Sequence, residues 1–398
     1  MVTLSQKDCS MRDQELLWKV RVAMIAKPGG PNTGLGRYMQ ILHKGLLADG
    51  VSAVRVAPAV PPFPNTWYSL LFRLSIDLRT FLTNYPVWVK YPRADIYHLA
   101  SQNLASLLIF HRPKGKVIVT VHDIFPYMLR NEPHLNTYRS LADRWFDRIA
   151  MKGLRWADRL IATSQYTKQC IVKHLGISPD KIQVVYTGIN HDHFQPLAVP
   201  SDVYDRYGLA RNRHYLIFVG SEDPRKNLAT LVHALAKIRR KEPDVELIKV
   251  GHAHFDRERY RLIELATQLG VQTAMHFLDD VSEDDLPFLY NLADICVMPS
   301  LYEGFGFPVL EAMACGRPVV AARSASLPEL VDGAGYLFNP RDPDELAAKI
   351  QMLLLNTNRR DLALASTNQA RRFQVSQQIA DTTSVYMQLY DSNENRFI

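Results

Sequence analysis

Two glutamates, Glu303 and Glu311, stand with seven residues between them. A carboxylate accepts hydrogen bonds and cannot donate them, so a pair of carboxylates is suited to binding sugar hydroxyls. Each such charge-assisted hydrogen bond contributes about 1.5–3 kcal/mol. The alternative is that Glu311 only favours the first turn of a helix, which contributes roughly 0.3–1 kcal/mol. The glycines between the two glutamates favour the binding interpretation.

The elements around this pair form a strand, loop, helix and strand. Residues 293–298 are a short apolar run that predicts a buried strand. Pro308 suits the first position of a helix, and Gly316 suits the left-handed position after its end. Residues 319–322 begin the next strand. The loop 303–307 therefore lies at the carboxyl end of a strand, where ligands bind in open α/β sheets.

A second loop of the same kind carries adjacent basic residues. Residues 215–219 predict a strand, and Arg225 and Lys226 follow it where a helix begins. Cationic side chains at a helix start form an anion site. The alternative is a solvated basic helix start that binds nothing.

A glycine-rich segment, residues 27–38, follows a predicted strand at 19–26, and an apolar helical stripe begins at Tyr38. Gly34 and Gly36 are the glycines of interest, although a plain tight turn would also use them. The dinucleotide spacing G-x-G-x-x-G fails because Met39 stands where the third glycine is required, which argues against a nicotinamide cofactor.

The segment Glu303-Gly-Phe-Gly-Phe-Pro-Val-Leu-Glu311 resembles the E-x7-E signature of the retaining glycosyltransferases of family 4, and the resemblance runs from about Val20 to the end of the chain. It implies the α/β fold called GT-B, in which two Rossmann-like domains face each other across a cleft. The implied domains are residues 1–196 on the acceptor side, residues 197–375 for the nucleotide sugar, and a last helix, residues 376–398, that returns to the first domain.

The resemblance also implies roles for single residues. The sequence His122-Asp-x-x-Pro126 after the strand 116–121 resembles the family's motif whose histidine contacts a donor-sugar hydroxyl, although a lone histidine at a strand end is usually structural. Arg225 and Lys226 match the residues that grip the diphosphate, but Ser221 stands where many members have arginine, which favours Lys226. The predicted catalytic residues are His122, Glu303 and Lys226. The predicted donor-binding residues are Gly34, Gly36, Arg225, Lys226, Glu303, Gly304, Phe305, Gly306, Phe307 and Glu311.

The implied activity is transfer of a hexose from a nucleoside-diphosphate sugar to a hydroxyl of a glycan or a lipid-linked acceptor. The resemblance favours GDP-mannose as donor, with UDP-glucose as the alternative. A sugar-nucleotide epimerase and a non-catalytic transferase-like subunit are the other interpretations. No cofactor and no metal are expected, because basic side chains and helix dipoles neutralise the diphosphate in this family. The acidic pairs at 279–280 and 284–285 are interpreted as turn and helix-cap residues.

Composition limits the partners without choosing among them. The chain has 398 residues and a formal net charge of +7, which suits a nucleotide sugar, an anionic lipid surface or nucleic acid. Nucleic acid would explain the charge but none of the predicted sites, so none is expected. The four cysteines show no paired spacing, the first 18 residues have no apolar core of a signal peptide, and no apolar run reaches the length of a membrane span. We expect a cytoplasmic protein, with contact to the inner face of the membrane left open.

One stretch of the first half could provide that membrane contact. Apolar residues recur at helical spacing between Trp67 and Leu82, with Arg73 and Arg79 among them. Basic residues and aromatics on an amphipathic helix are typical of membrane-surface contact. The alternative is a helix packed on its own domain.

Overall fold

The computed structural model describes residues 20–27, 34–58, 82–138, 140–253, 256–355 and 359–394. The predicted stripe at 67–82 lies outside these residues except for Leu82, which packs against the core of the first half. Among the described residues, no helix has both the length and the apolar character needed to cross a bilayer.

The first half of the described chain builds one parallel sheet in the order β2-β1-β3-β4-β5-β6. Its strands are β1 Arg21–Ile25, β2 Ser52–Val56, β3 Ile96–Leu99, β4 Lys116–Val121, β5 Arg159–Ala162 and β6 Ile182–Val184. The central strands are apolar along almost their whole length, as expected for a parallel sheet covered on both faces. The helices of this half are α1 Gly34–Ala48, α2 Leu107–Phe110, α3 Phe125–Met128, α4 Leu141–Gly153 and α5 Gln165–Cys170.

The second half repeats the architecture, with a parallel sheet in the order β12-β11-β10-β7-β8-β9. Its strands are β7 His214–Val219, β8 Val245–Val250, β9 Met275–Leu278, β10 Ile295–Met298, β11 Val319–Ala322 and β12 Tyr336–Phe338. Its helices are α6 Ser201–Arg206, α7 Leu228–Arg239, α8 Asp256–Gln268, α9 Leu286–Leu292, α10 Phe307–Ala314, α11 Leu327–Val331, α12 Pro343–Leu355 and α13 Arg359–Ala370. The two Rossmann-like domains of the expected GT-B fold are therefore present.

The last helix, α14 Val375–Glu394, crosses back to the first domain as expected. Ile379 and Tyr386 belong to the same buried cluster as the outer face of the first sheet. The Tyr386 hydroxyl lies 2.7 Å from Nδ1 of His98 on β3. A Cβ at Gly45 of α1 would lie 2.5 Å from the Ile379 side chain, so the helices need glycine at this crossing. Helix α14 thus completes the core of the first domain.

Two segments differ from the sequence-based expectation. The prolines, the charges and the few apolar repeats of residues 191–213 predict a linker. These residues instead contain α6, whose Val203 is buried in the core of the second domain. One short helix that buries one valine leaves too few apolar repeats to give a periodic signal. Helix α1 begins at Gly34, so Gly34 and Gly36 form its first turn instead of a preceding loop. The expected domain boundaries at 196/197 and 375/376 remain predictions.

Candidate active site

The loop between β10 and α10 is the centre of the candidate site. Its two glycines, Gly304 and Gly306, are needed for different structural reasons. Gly306 has a φ of +116°, a left-handed conformation that disfavours any other residue. Gly304 lies against the first domain, since a Cβ there would lie 2.1 Å from the carbonyl oxygen of His122. The hydroxyl of Ser164 also donates to the Gly304 carbonyl oxygen at 2.7 Å. The loop is therefore in direct backbone contact with the first domain.

Glu303 is buried and bound by a cation from the neighbouring loop. Its Oε1 accepts hydrogen bonds from Lys226 Nζ at 2.5 Å and from the Ser300 hydroxyl at 2.8 Å. Its Oε2 has a longer contact, 3.4 Å, with Arg225. Burial raises the pKa of Glu303, but the charges of Lys226 and Arg225 outweigh burial and leave the pKa below its usual value. Glu303 is therefore ionised, and Oε2 retains most of its capacity to accept.

Arg225 connects this pair to the first domain. Its guanidinium lies over the ring of Phe125, 4.3 Å from the ring centroid, and donates to the carbonyl oxygen of Tyr302 at 3.0 Å. Phe125 begins the short helix α3 and lies inside the His122-Asp-x-x-Pro126 motif. The two motifs predicted from distant parts of the sequence thus meet across the cleft.

Glu311 has a different set of partners. Its side chain is 1% exposed, and its Oε1 forms an ion pair of 2.6 Å with Arg37 of α1. Its Oε2 accepts a hydrogen bond of 2.8 Å from the hydroxyl of Tyr290 on α9. The guanidinium of Arg37 also lies 5.8 Å from the ring centroid of Phe307. The first turn of α1 therefore lies directly over the start of α10.

His122 is held in its neutral form. Its Nε2 lies 2.9 Å from the carbonyl oxygen of Ala100, so this nitrogen carries the proton and Nδ1 is an acceptor. Tyr38 packs edge-on against the imidazole, with ring centroids 4.7 Å apart. Burial lowers the pKa of His122 to about 4. The imidazole is therefore neutral near pH 7 and can accept a hydrogen bond from a hydroxyl.

The remaining predicted residues divide between cleft and core. A Cβ on Gly34 would lie 3.8 Å from the Phe307 ring, so this glycine faces the second domain. Gly36 is partly exposed in the same turn. Phe305 is 6% exposed and packs against Tyr186 and Phe373. Phe305 therefore supports the loop from the core, and only its backbone is available to a ligand.

Four polar partners of the site were not predicted from the sequence: Arg37, Tyr290, Ser300 and Glu329. The carboxylate of Glu329 on α11 accepts hydrogen bonds from the backbone N–H groups of Gln165 and Tyr166 in the first domain, at 2.9 and 2.8 Å. Arg37 lies inside the glycine-rich segment 27–38, between Gly36 and Tyr38, so its position next to the predicted glycines was a signal in the sequence. The others carry no local signal, because their partners are remote in sequence.

In each of the acidic pairs 279–280 and 284–285, one carboxylate forms an ion pair with an arginine. Asp279 pairs with Arg259 at 2.6 Å, and Asp285, at the start of α9, pairs with Arg206 at 2.6 Å. Within the described ranges, no three His, Cys, Asp or Glu side chains are grouped as a metal site would need. Asp284 and Asp285 lie in the turn before α9, but Asp285 is buried and makes no capping hydrogen bond, and Asp279 and Asp280 lie in an irregular segment after β9. The expected surface-turn and helix-cap roles are therefore only partly confirmed.

Two family profiles match the two halves of the chain. The profile described as "Glycosyltransferase Family 4" matches residues 32–193, and the one described as "Glycosyl transferases group 1" matches residues 204–371. Together they include every predicted site residue.

Named relatives agree with the profiles. The chain is 28% identical over 385 residues to "O-antigen chain mannosyltransferase B" of Escherichia coli, which covers 89% of this chain and 96% of that protein. It is 34% identical over 258 residues to "MMP alpha-(1->4)-mannosyltransferase" of Mycolicibacterium hassiacum. That alignment covers 62% of this chain and 59% of the relative.

Solved structures show the same fold. The chain superposes on a sucrose-phosphate synthase from Thermosynechococcus elongatus with a TM-score of 0.73 and 20% identity, over 94% of this chain and all of that one. It superposes on Anabaena Alr3699/HepE in complex with UDP-glucose with a TM-score of 0.68 and 23% identity, over 92% of this chain and all of that one. With its two parallel sheets, its E-x7-E loop and both profiles matched, the chain belongs to the family 4 glycosyltransferases.

Proposed function

We propose that this glycosyltransferase moves a mannosyl group from GDP-mannose to a hydroxyl of a glycan or lipid-linked acceptor, with retention of configuration at the anomeric carbon. The observation that carries the proposal is the meeting, across one cleft, of the His122 motif with the Glu303 and Lys226 pair. The choice of mannose rests on the names of the two relatives, both of which are mannosyltransferases.

The hexose of the donor binds Glu303 in this proposal. Oε1 of Glu303 is occupied by Lys226 and Ser300, whereas Oε2 has only the 3.4 Å contact with Arg225. A sugar hydroxyl can therefore donate to Oε2 without displacing Lys226. The neutral Nδ1 of His122 accepts from a second hydroxyl of the same sugar.

The diphosphate binds beside Lys226 and Arg225. Both cations lie at the carboxyl end of β7, and the amino end of α10 adds the partial positive charge of its helix dipole. As the bond between the anomeric carbon and the phosphate oxygen breaks, negative charge grows on that oxygen, and these groups stabilise it. No metal is needed in this proposal.

The nucleoside binds beside Glu311. A cavity of about 340 Å³ adjoins this residue and is bordered by Arg37 and Lys44 of α1 and by Glu283 and Leu286 at the start of α9. The ribose hydroxyls donate to the Glu311 carboxylate. Because Arg37 already occupies Oε1, the ribose either replaces Arg37 or shares that oxygen with it.

The acceptor attacks from the face that the diphosphate leaves. A bond forms between the acceptor oxygen and the anomeric carbon, the bond to the phosphate oxygen breaks, and the acceptor proton passes to the departing phosphate. Catalysis is then mostly positioning and charge stabilisation. In the described structure His122 is bound through Nε2 and has a low pKa, so it positions a hydroxyl instead of acting as a strong base.

A donor panel tests the proposal. Thermal shifts are measured with GDP-mannose, GDP, UDP-glucose and UDP, followed by product analysis with a mannose-terminated glycan. A ligand at one hundred times its dissociation constant stabilises the fold by about 2.7 kcal/mol. We expect the larger shift with the GDP ligands, and an α-linked product. A larger shift with the UDP ligands would overturn the assignment of GDP-mannose as donor. Formation of the sugar-nucleotide epimer from donor alone would make the chain an epimerase. Absence of binding to all four ligands would favour the non-catalytic interpretation.

A further inference from the structure

A surface of the first domain, outside the donor site, is unusually rich in exposed aromatic and aliphatic side chains. Its members, which we call the α4 face, are Trp88, Ile109, Phe110, Leu141, Trp145 and Trp156, each between 43% and 84% exposed. Isolated exposed apolar residues are ordinary, whereas a contiguous group marks an interaction site.

Ring contacts connect three of the members, Trp88, Phe110 and Trp145, through His111 and Phe146. Phe110 of α2 lies 6.3 Å from Phe146 of α4, and Phe146 packs edge-on against Trp145 at 4.8 Å. Trp88 stacks on His111, the residue after Phe110, at 5.7 Å. The α4 face is therefore one continuous surface formed by α2, α4 and the segment that contains Trp88.

Two basic residues lie between the apolar ones along α4 and the short 3-10 turn that follows it. Leu141, Trp145, Arg148, Lys152 and Trp156 recur at helical spacing, and all five are exposed. Trp145 and Trp156 are eleven residues apart, so they lie roughly 16 Å from each other along the helix axis. The line thus has an aromatic residue near each end and cations between them.

Acidic residues are scarce around this face. Residues 84–116 contain five Lys and Arg but one acidic residue, and residues 141–156 contain four Lys and Arg but two acidic residues. Of the three, Asp95 is bound by Arg21, and Asp147 is 2% exposed. The surface therefore presents a net positive charge around its apolar members.

We propose that the α4 face binds the surface of an anionic lipid bilayer, with Leu141, Trp145 and Trp156 in the interfacial layer and Arg148 and Lys152 against lipid phosphates. Tryptophan prefers the boundary between headgroups and acyl chains. Lys and Arg side chains near an anionic membrane are attracted by its negative surface potential. A protein partner is disfavoured, because the centres of protein interfaces are depleted in lysine.

This placement has a consequence for the cleft, although it does not depend on the proposed transfer reaction. Helix α3 packs on α4, and Phe125 and Met128 of α3 line a small pocket together with Glu303. A bilayer on the α4 face would therefore lie behind the acceptor side of the cleft.

The test is co-sedimentation of the full chain with vesicles, either of phosphatidylcholine alone or of equal parts phosphatidylcholine and phosphatidylglycerol. We expect binding to the mixed vesicles that decreases with salt. The variants Leu141→Ser/Trp145→Ser and Arg148→Glu/Lys152→Glu should each bind roughly tenfold more weakly or worse. The matched controls lie on the second domain: Leu364→Ser and Arg240→Glu/Lys241→Glu change exposed residues and should bind like the unaltered chain.

Three results would overturn the inference. The first is an unaltered chain that stays in the supernatant with the mixed vesicles. The second is α4-face variants that bind like the controls but lose self-association in light scattering, which makes the face a protein interface. The third is α4-face variants with unchanged vesicle binding and a strongly lowered Tm, which means that another part of this chain covers the face. Donor binding, measured on the same variants, should not change.

Discussion

Arg37 of the first domain and Glu311 of the second form an ion pair of 2.6 Å although 274 residues separate them. The pair joins the first turn of α1 to the first turns of α10. It also occupies the carboxylate to which the ribose is assigned. If the ribose binds Glu311 as proposed, it replaces Arg37 at Oε1 or shares that oxygen with it.

The first prediction separates the two glutamates of the E-x7-E loop. Glu311→Gln should weaken binding of free GDP roughly ten- to a hundredfold, because the ribose loses a charge-assisted hydrogen bond of about 1.5–3 kcal/mol. Glu303→Gln should spare GDP affinity and lower transfer, because free GDP lacks the hexose. Calorimetry with GDP on both variants is the measurement. Equal losses in both, or a loss in Glu303→Gln alone, would show that the two carboxylates are assigned the wrong way round.

A matched control isolates the ribose contact from the ion pair. Arg37→Met removes the same ion pair as Glu311→Gln but leaves the carboxylate for the ribose. GDP affinity should therefore not decrease in Arg37→Met. If it decreases as much as in Glu311→Gln, the effect of Glu311 arises from the contact between the domains.

The second prediction concerns Lys226. Lys226→Ala should weaken GDP and GDP-mannose binding alike, since both carry the diphosphate. It should also destabilise the fold, because removing one partner of a buried ion pair costs on the order of 3–5 kcal/mol. The nearby Arg225 should reduce that loss.

A double variant distinguishes these two effects. Lys226→Ala/Glu303→Gln removes the uncompensated buried charge, so its Tm should recover while its GDP affinity stays low. The exposed Lys241→Ala serves as control. An unchanged GDP affinity in Lys226→Ala, with lowered turnover, would remove Lys226 from the phosphate site.

The third prediction concerns metal ions. Activity should survive EDTA, because Lys226 and Arg225 supply the positive charge that a metal would otherwise bring to the diphosphate. Initial rates with and without chelator are the measurement. Complete loss of activity that Mn²⁺ or Mg²⁺ restores would contradict the assigned charge balance.

The fourth prediction is a pH effect on stability at Asp147. This carboxyl is buried in α4 and accepts a hydrogen bond of 2.5 Å from the Tyr138 hydroxyl. Burial raises its pKa to about 6 from an ordinary 3.8. The native state therefore holds the proton more tightly than the unfolded state, and stability decreases as pH rises from about 4 to about 6.

Asp147→Asn keeps the acceptor for Tyr138 and removes the charge. It should stabilise the fold by on the order of 2–3 kcal/mol above pH 6 and by little below pH 4. Thermal unfolding across this range measures the difference, and exposed Asp180→Asn is the control. A stabilisation that is independent of pH would show that Asp147 does not titrate in this window.

The elements that carry their own local pattern could be predicted from the sequence. The strand before Glu303, the helix from Pro308 and the left-handed Gly316 follow from apolar runs and from proline and glycine chemistry over a few residues. The partners of Glu311 could not be predicted, because Arg37 reaches it only once the two domains have met. Gly304 shows the same limit. A glycine at this position predicts a close backbone approach to a ligand, whereas the fold shows that the backbone of the first domain makes the approach.

Helix α14 sets an order of events during synthesis of the chain. The first sheet is complete at Val184, but one of its faces is covered by residues that follow Val375. At ribosomal rates this interval lasts roughly 10 to 40 s. During that time Val22, Met24 and Ile118 lack Ile379 and Tyr386, which belong to the same buried cluster in the finished protein. A nascent chain that pauses within the second domain thus exposes an unfinished apolar surface to chaperones and proteases.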